Sequence, residues 1–333
     1  MNRNYICALI FAAWLLTLNT IAVAFAQDQL PVNAIAKEQG PEAAPQMAPQ
    51  PGIENRPLNN HDDQRDLQIP PMFVPRQLDE SNLFIPQARK ELLNGNFKKP
   101  YLIDVNLGID GLFRWYLTRS LNTAKQAGAD LVIIRLTTLG GELHTSLQLA
   151  SNLLEIDWAT VVVWIPNEAI SGGAIVSMGA DAIYMKPSAT IGDVGIIHLQ
   201  FWGAGVLAEE KDVSYYASVM RQLAVRSGRH PEVVAAMMDR KLKVIQATDK
   251  ATGKKVFLNE SQSLNQATLA KVNIDQPLDE AGNDRFLTVS GKRAMQLDLC
   301  EETFESEAAM LKQLTSVEPV RIQLNRAKSW LTT

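Results

Sequence analysis

Four short apolar runs recur through the middle of the chain: YLIDVN (101–106), LVIIRL (131–136), VVVWI (161–165) and AIYMK (182–186). Continuous apolar runs, without polar alternation, predict strands covered on both faces. The intervening segments switch to a helical period. Leu117, Leu121 and Ala124 share one face in FRWYLTRSLNTAKQAGA, and Leu143, Leu147, Ala150 and Leu154 share another. A third helix is predicted just after Ser171. The alternation β-α-β-α-β-α-β predicts an α/β protein with parallel strands and helical crossovers. From about residue 211 the pattern turns helical, through VSYYASVMRQLAV and then PEVVAAMMDRKL, with Pro231 suited to a first helical turn. Residues 244–285 are polar and carry no clear period. FLTV (286–289) reads as a strand and SGKRAMQL (290–297) as a helix capped by Ser290. The tail from 305 reads as helix plus an irregular end.

The two flanks have different patterns. Residues 6–26 are almost wholly apolar, follow Arg3, and end in Ala24-Phe25-Ala26 before polar Gln27-Asp28. That is the layout of a signal peptide with a small-residue cleavage site. Left uncleaved, it is near the ~20 residues that span a bilayer and would tether the protein. Both readings take the body of the protein out of the cytoplasm. Residues 27–98 are interrupted by prolines, and QGPEAAPQMAPQPG is poor in large apolar side chains, so this stretch is expected to be a disordered linker. His61 falls in it. The expected domains are thus a signal peptide (1–26), a Pro-rich linker (27–98), an enzyme-like α/β domain (99–304) and a tail (305–333).

Composition narrows the picture. An apolar fraction of 46% supports a packed core, and a net charge of −4 gives no reason to expect nucleic-acid binding. Of the two cysteines, Cys7 lies in the leader. Cys300 is then alone and reads as a small buried hydrophobe. No cluster has metal-ligand spacing and no phosphate loop opens a helix, so neither metal nor cofactor is expected.

The candidate chemistry lies at two glycine turns, Gly140-Gly141 and Gly172-Gly173, each following a predicted parallel strand. In open parallel sheets, sites form beyond the carboxyl ends of the strands. Glycine lets backbone N–H groups approach a ligand closely. Such donors can stabilise an oxyanion in acyl transfer, with Ser171 presenting its hydroxyl beside them. The bland alternative is two tight turns with Ser171 as a helix N-cap.

The wording then becomes familiar. SGGAIVSMGADAIYMKPSATIGDVGII resembles the nucleophile segment of signal peptide peptidase A and of NfeD-family membrane serine proteases, of the ClpP/crotonase fold. ADLVIIRLTTLGGELHTSLQLASNLLE and YLIDVNLGIDGLFRWYLTRSLNTAKQAGA resemble earlier units of the same families. The resemblance covers about 99–243 and resumes at FLTVSGKRAMQL. It implies a ClpP/crotonase-like fold of repeated β-α units and a Ser-Lys dyad, with Ser171 as nucleophile. Lys211 matches the family's lysine base, thirteen residues before Ala224 and seventeen before Gly228-Arg229. Lys241 and Lys243 are weaker candidates. His198 is the rival base of a ClpP-type triad, His144 reads as solvent-facing and His230 as loop. The oxyanion hole is expected from Gly172 and Gly140 (or Gly141). The resemblance further implies apolar substrate segments of membrane or membrane-associated proteins, a stomatin-like partner and a homo-oligomer.

Departures from the pattern keep an alternative open. The family turn D-T-P-G-G is Thr137-Thr138-Leu139-Gly140-Gly141 here, without its acid and its proline. The usual S-A-G of the NfeD proteases is S-G-G. Those proteases continue into membrane spans near where this sequence stops at SWLTT. A catalytically inactive, ClpP-like binding module for a membrane partner is therefore the second expectation. An acyl-CoA enzyme of crotonase type is disfavoured by the export signal.

Overall fold

A computed structural model of the protein describes residues 96–199 and 205–324. The expected leader and most of the expected linker, including His61, lie outside the described residues.

The chain runs through β1 (Pro100–Val105), α1 (Gly111–Gln126), β2 (Leu131–Leu136), α2 (Leu143–Leu154), β3 (Thr160–Ile165) and β4 (Glu168–Ile170). It continues with α3 (Gly172–Ser177), β5 (Ala182–Met185), β6 (Thr190–Gly192), the hairpin β7 (Ile197–Leu199) and β8 (Gly205–Leu207), α4 (Glu210–Arg226) and α5 (Pro231–Ala235). Next come β9 (Val244–Asp249), β10 (Lys255–Asn259), α6 (Glu260–Leu264), α7 (Gln266–Lys271) and β11 (Val272–Pro277). The last elements are β12 (Thr288–Ser290), α8 (Gly291–Gln296), β13 (Glu302–Thr303), α9 (Glu307–Leu314) and β14 (Val320–Gln323).

The main sheet has six strands in the order β13-β5-β3-β2-β1-β14, and every neighbouring pair is parallel. The fold is therefore the expected α/β arrangement of repeated β-α units around a parallel sheet. The unbroken apolar runs have a direct cause. Ile103, Val105, Val132, Ile134, Leu136 and Val163 face a core shared with Phe113, Leu117 and Ala150. Their neighbours Leu102, Leu131, Ile133, Val162 and Trp164 face the other way, onto Met310, Leu311 and Leu314 of α9. With both faces covered, these strands are almost wholly apolar, and the charged exceptions Asp104 and Arg135 pair with each other at 2.9 Å near the strand ends.

A second, small sheet, β12-β6-β4, lies at the carboxyl end of β3. Only two residues separate β3 from β4, so the chain changes sheets there and delivers Ser171 to the start of α3. The turn that ends α3 packs closely on α2: a Cβ on Gly179 would lie 2.3 Å from the Ala150 carbonyl oxygen. Residues 244–285 form a three-stranded antiparallel sheet, β10-β9-β11, carrying α6 and α7, with its own cluster of Ala247, Val256, Leu258 and Val272.

Several expectations shift. The helix expected through PEVVAAMMDRKL stops at Ala235 and continues as turns. The tail is not irregular after its helix, because β14 joins the main sheet beside β1. Ser290 caps α8 as expected, its side chain accepting from the Arg293 N–H at 3.3 Å. Among the described residues, no helix is long and apolar enough to cross a membrane.

Candidate active site

Ser171 occupies the corner between β4 and α3 with φ 53° and ψ −119°. A non-glycine residue rarely adopts this region, at a cost of about 1–3 kcal/mol. The backbone around it holds it there. Its N–H donates to the Gly192 carbonyl at 2.9 Å, and its own carbonyl accepts from the Ala174 N–H at 3.0 Å. Its side chain makes no capping hydrogen bond to the helix. An N-cap serine has extended φ and an engaged hydroxyl; Ser171 has neither. Asp193, directly after Gly192, also has positive φ (52°), so each of the paired strands β4 and β6 is followed by a non-glycine residue of positive φ.

The turn 137–142 packs against this corner. Thr138 bridges to Ala169: its N–H donates to the Glu168 carbonyl and its carbonyl accepts from the Ile170 N–H, both at 3.0 Å. On the opposite edge Gly141 bridges to Ile109. The Ile109 N–H donates to the Gly140 carbonyl at 2.9 Å, and the Glu142 N–H donates to the Ile109 carbonyl at 2.8 Å. No side chain fits here. A Cβ on Gly140 would lie 2.6 Å from Ser171 Cβ and 3.0 Å from the Gly172 nitrogen; one on Gly141 would lie 2.1 Å from the Ile109 oxygen. A Cβ on Gly172 would lie 2.2 Å from Ser146 Oγ. The glycines allow backbone to approach backbone beside Ser171.

The structure thus brings Ser171, Gly172 and Gly140 together from distant parts of the chain. One expected role changes. The Gly140 N–H is not open toward Ser171, because it donates to Thr138 Oγ1 at 3.1 Å, and Gly140 is buried. Gly141 is the exposed glycine of this turn.

Lys211 lies in the first turn of α4, between Glu210 and Asp212, and is exposed; no hydrogen bond joins it to Ser171. Lys241 is paired with Glu210 and Lys243 with Glu260, both on the surface. His198 is in β7, and its side chain lies outside the described residues. His144 is exposed on α2.

His230 is not a solvated loop residue. It is 1% exposed, precedes α5, stacks edge-on against Phe257 at 4.6 Å and has Nε2 3.5 Å from Asp298. Burial pushes its pKa down, only partly offset by Asp298. The neighbouring Arg229 is also 1% exposed. Its guanidinium reaches Glu301 at 3.1 Å and the carbonyls of Ala180, Ser227 and Leu299. The Gly228-Arg229 pair, which helped to mark Lys211 in the sequence, therefore serves as an internal brace. Cys300 is buried as expected, with its thiol pKa pushed up by burial.

An α/β protein with a strained serine at a strand–helix corner, packed against a double-glycine turn, is the class that fold and site define. Residues 99–268, just over half of the chain, match the family model described as NfeD1b, N-terminal domain. The chain belongs to this family. A curated relative, membrane protein NfeD1b of Bacillus subtilis (strain 168), is 32% identical over 139 residues, which is 42% of this chain and 31% of the relative. The match therefore spans about a third of that relative's length. Among solved structures, a serine-to-alanine variant of the 1510-N membrane-bound stomatin-specific protease aligns at TM-score 0.49 and 16% identity, over 69% of this chain and 98% of that one. The 1510-N membrane protease specific for a stomatin homolog from Pyrococcus horikoshii aligns at TM-score 0.45 and 14% identity, over 70% and 96%.

Proposed function

We propose that the protein is an exported or membrane-tethered serine endopeptidase working through a Ser171–Lys211 dyad. The observation that carries this reading is Ser171 itself: a strained residue whose hydroxyl is released from capping and set beside a glycine turn. In the proposed reaction Ser171 Oγ attacks the peptide carbonyl carbon while Lys211 accepts the hydroxyl proton. The resulting oxyanion is held by backbone N–H groups of Gly172 and of the 140–141 turn. The C–N bond then breaks as Lys211 returns the proton to the leaving amine, and water hydrolyses the acyl-enzyme.

A lysine base works when it is shielded from water. Lys211 is exposed in the free chain, so the dyad forms when substrate or a second copy covers α4. The exposed apolar side chains Leu139 (73%), beside Gly140, and Leu112 (49%), just after the Ile109 bridge, support apolar substrate segments. The motif resemblance extends the proposal to membrane-associated substrates, a stomatin-like partner and a homo-oligomer.

The test is labelling with an alkyl fluorophosphonate. Wild type is expected to label and Ser171→Ala not to label. Lys211→Ala is expected to slow labelling by about 10²–10⁴-fold, the usual worth of a general base. The exposure of Lys211, and its lack of a bond to Ser171, favour a second reading, a binding module without turnover. A folded wild type that neither labels nor cleaves peptides would establish that second reading.

A further inference from the structure

We infer that Thr138 is a positioning residue: its hydroxyl takes up the Gly140 N–H and so turns the Gly141 N–H, rather than that of Gly140, toward the Ser171 hydroxyl. The inference rests on the peptidase reading above. The carbonyl of Gly140 and the N–H of Glu142 both point at Ile109, where they bond at 2.9 and 2.8 Å. In a parallel bridge of this kind the central residue, Gly141, directs its own N–H to the opposite edge. That opposite edge is the Ser171 side, because three residues earlier the same segment, at Thr138, bridges to Ala169 of β4. Gly140 itself lies against Ser171, but its N–H is spent on Thr138 Oγ1 at 3.1 Å. Gly141 is exposed, and its N–H forms no hydrogen bond among the described residues.

Thr138 is well held for this task. It is 4% exposed and bonded to β4 through both its N–H and its carbonyl. Its methyl lies where a Cβ on Gly173 would approach Cγ2 to 2.5 Å. The two branches of one side chain thus do different work: the methyl packs under α3, while the hydroxyl fixes the turn. The hydroxyl supplies the rigidity that a proline at position 139 would otherwise bring; here that residue is Leu139.

The branches can be separated by substitution. Thr138→Val keeps the shape and methyl but loses the hydroxyl; Thr138→Ser keeps the hydroxyl and loses the methyl. The probe is the alkyl fluorophosphonate, whose reaction forms an Oγ–P bond, expels fluoride and builds negative charge on the phosphoryl oxygen. Thr138→Val is expected to lower the maximal inactivation rate on the order of 10- to 100-fold, less than the 10²–10³ lost with an oxyanion donor. The half-saturating probe concentration is expected to stay within about twofold, because only the charged state uses the donor. Thr138→Ser is expected to react like wild type. A role in packing alone would reverse this order, harming Thr138→Ser and sparing Thr138→Val, and would overturn the inference. Amide exchange of the Ser171→Ala protein reads the turn without turnover: Gly140 is expected to be protected and Gly141 to exchange fast. The opposite order overturns the inference even if Thr138→Val does not fold. Wild type that labels alongside an equally fast Thr138→Val sinks this inference alone, whereas wild type that never labels sinks the peptidase reading and this inference with it.

Discussion

Ser171 holds a conformation that glycine would adopt without strain, so residue and backbone are in conflict at this one position. Ser171→Gly is expected to raise unfolding free energy by roughly 1 kcal/mol: about 1–3 from relieved strain, less about 0.5–1 for glycine's extra freedom in the unfolded chain. Urea unfolding checks this, and the same variant is expected not to label. A gain in stability together with loss of reactivity is the pattern of a site that stores strain. The position of this corner was legible in the sequence, because two glycines after an apolar run mark a tight turn into a helix, while the choice of Ser171 came from the motif resemblance. Its φ was not, since the same letters also write an N-cap. Nor was the bond between Thr138 and Gly140 legible. A threonine before two glycines does not reveal which N–H its hydroxyl takes; that depends on how β4 grips the threonine backbone.

At the scale of elements, His230 ties the start of α5 to β10 through Phe257. The charged groups facing it are Asp298 and Lys255; burial, with Lys255 acting in the same direction, outweighs Asp298, so its folded pKa is below the ordinary value near 6.5. A depressed folded pKa means that the unfolded chain binds the proton first. Stability is therefore full above about pH 6.5 and falls as the pH drops toward the folded value. Melting temperatures between pH 7.5 and 5 are expected to show this decline, and His230→Gln is expected to flatten it. The main strands and the helices between them were legible because their runs are long and unbroken. Strands β4 and β6 were not, since three residues carry no period; β12 was anticipated only because FLTV runs straight into a capped helix. Strand β14 escaped notice for another reason: VRIQ is mostly exposed, so its place comes from backbone pairing to β1, not from burial.

The whole domain is closed by that pairing. Strand β14 covers the edge of β1, Thr315 Oγ1 donates to the Phe97 carbonyl at 2.9 Å, and Tyr116 Oη donates to the Ile322 carbonyl at 3.0 Å. Removing residues 315–333 is expected to lower the melting temperature by at least about 5 °C, where each kcal/mol is worth about 2–4 °C in a domain of this size. Scanning calorimetry checks this, and light scattering is expected to report aggregation through the bared β1 edge. The closure also sets an order of events in the cell. Phe97 and Thr315 are 218 residues apart, so at 5–20 residues per second the ribosome releases the second roughly 10–40 s after the first. Throughout that interval the nascent chain has one sheet margin with no mate. A polypeptide whose outermost seam waits on a segment 218 residues downstream stays open-edged through most of this domain's synthesis.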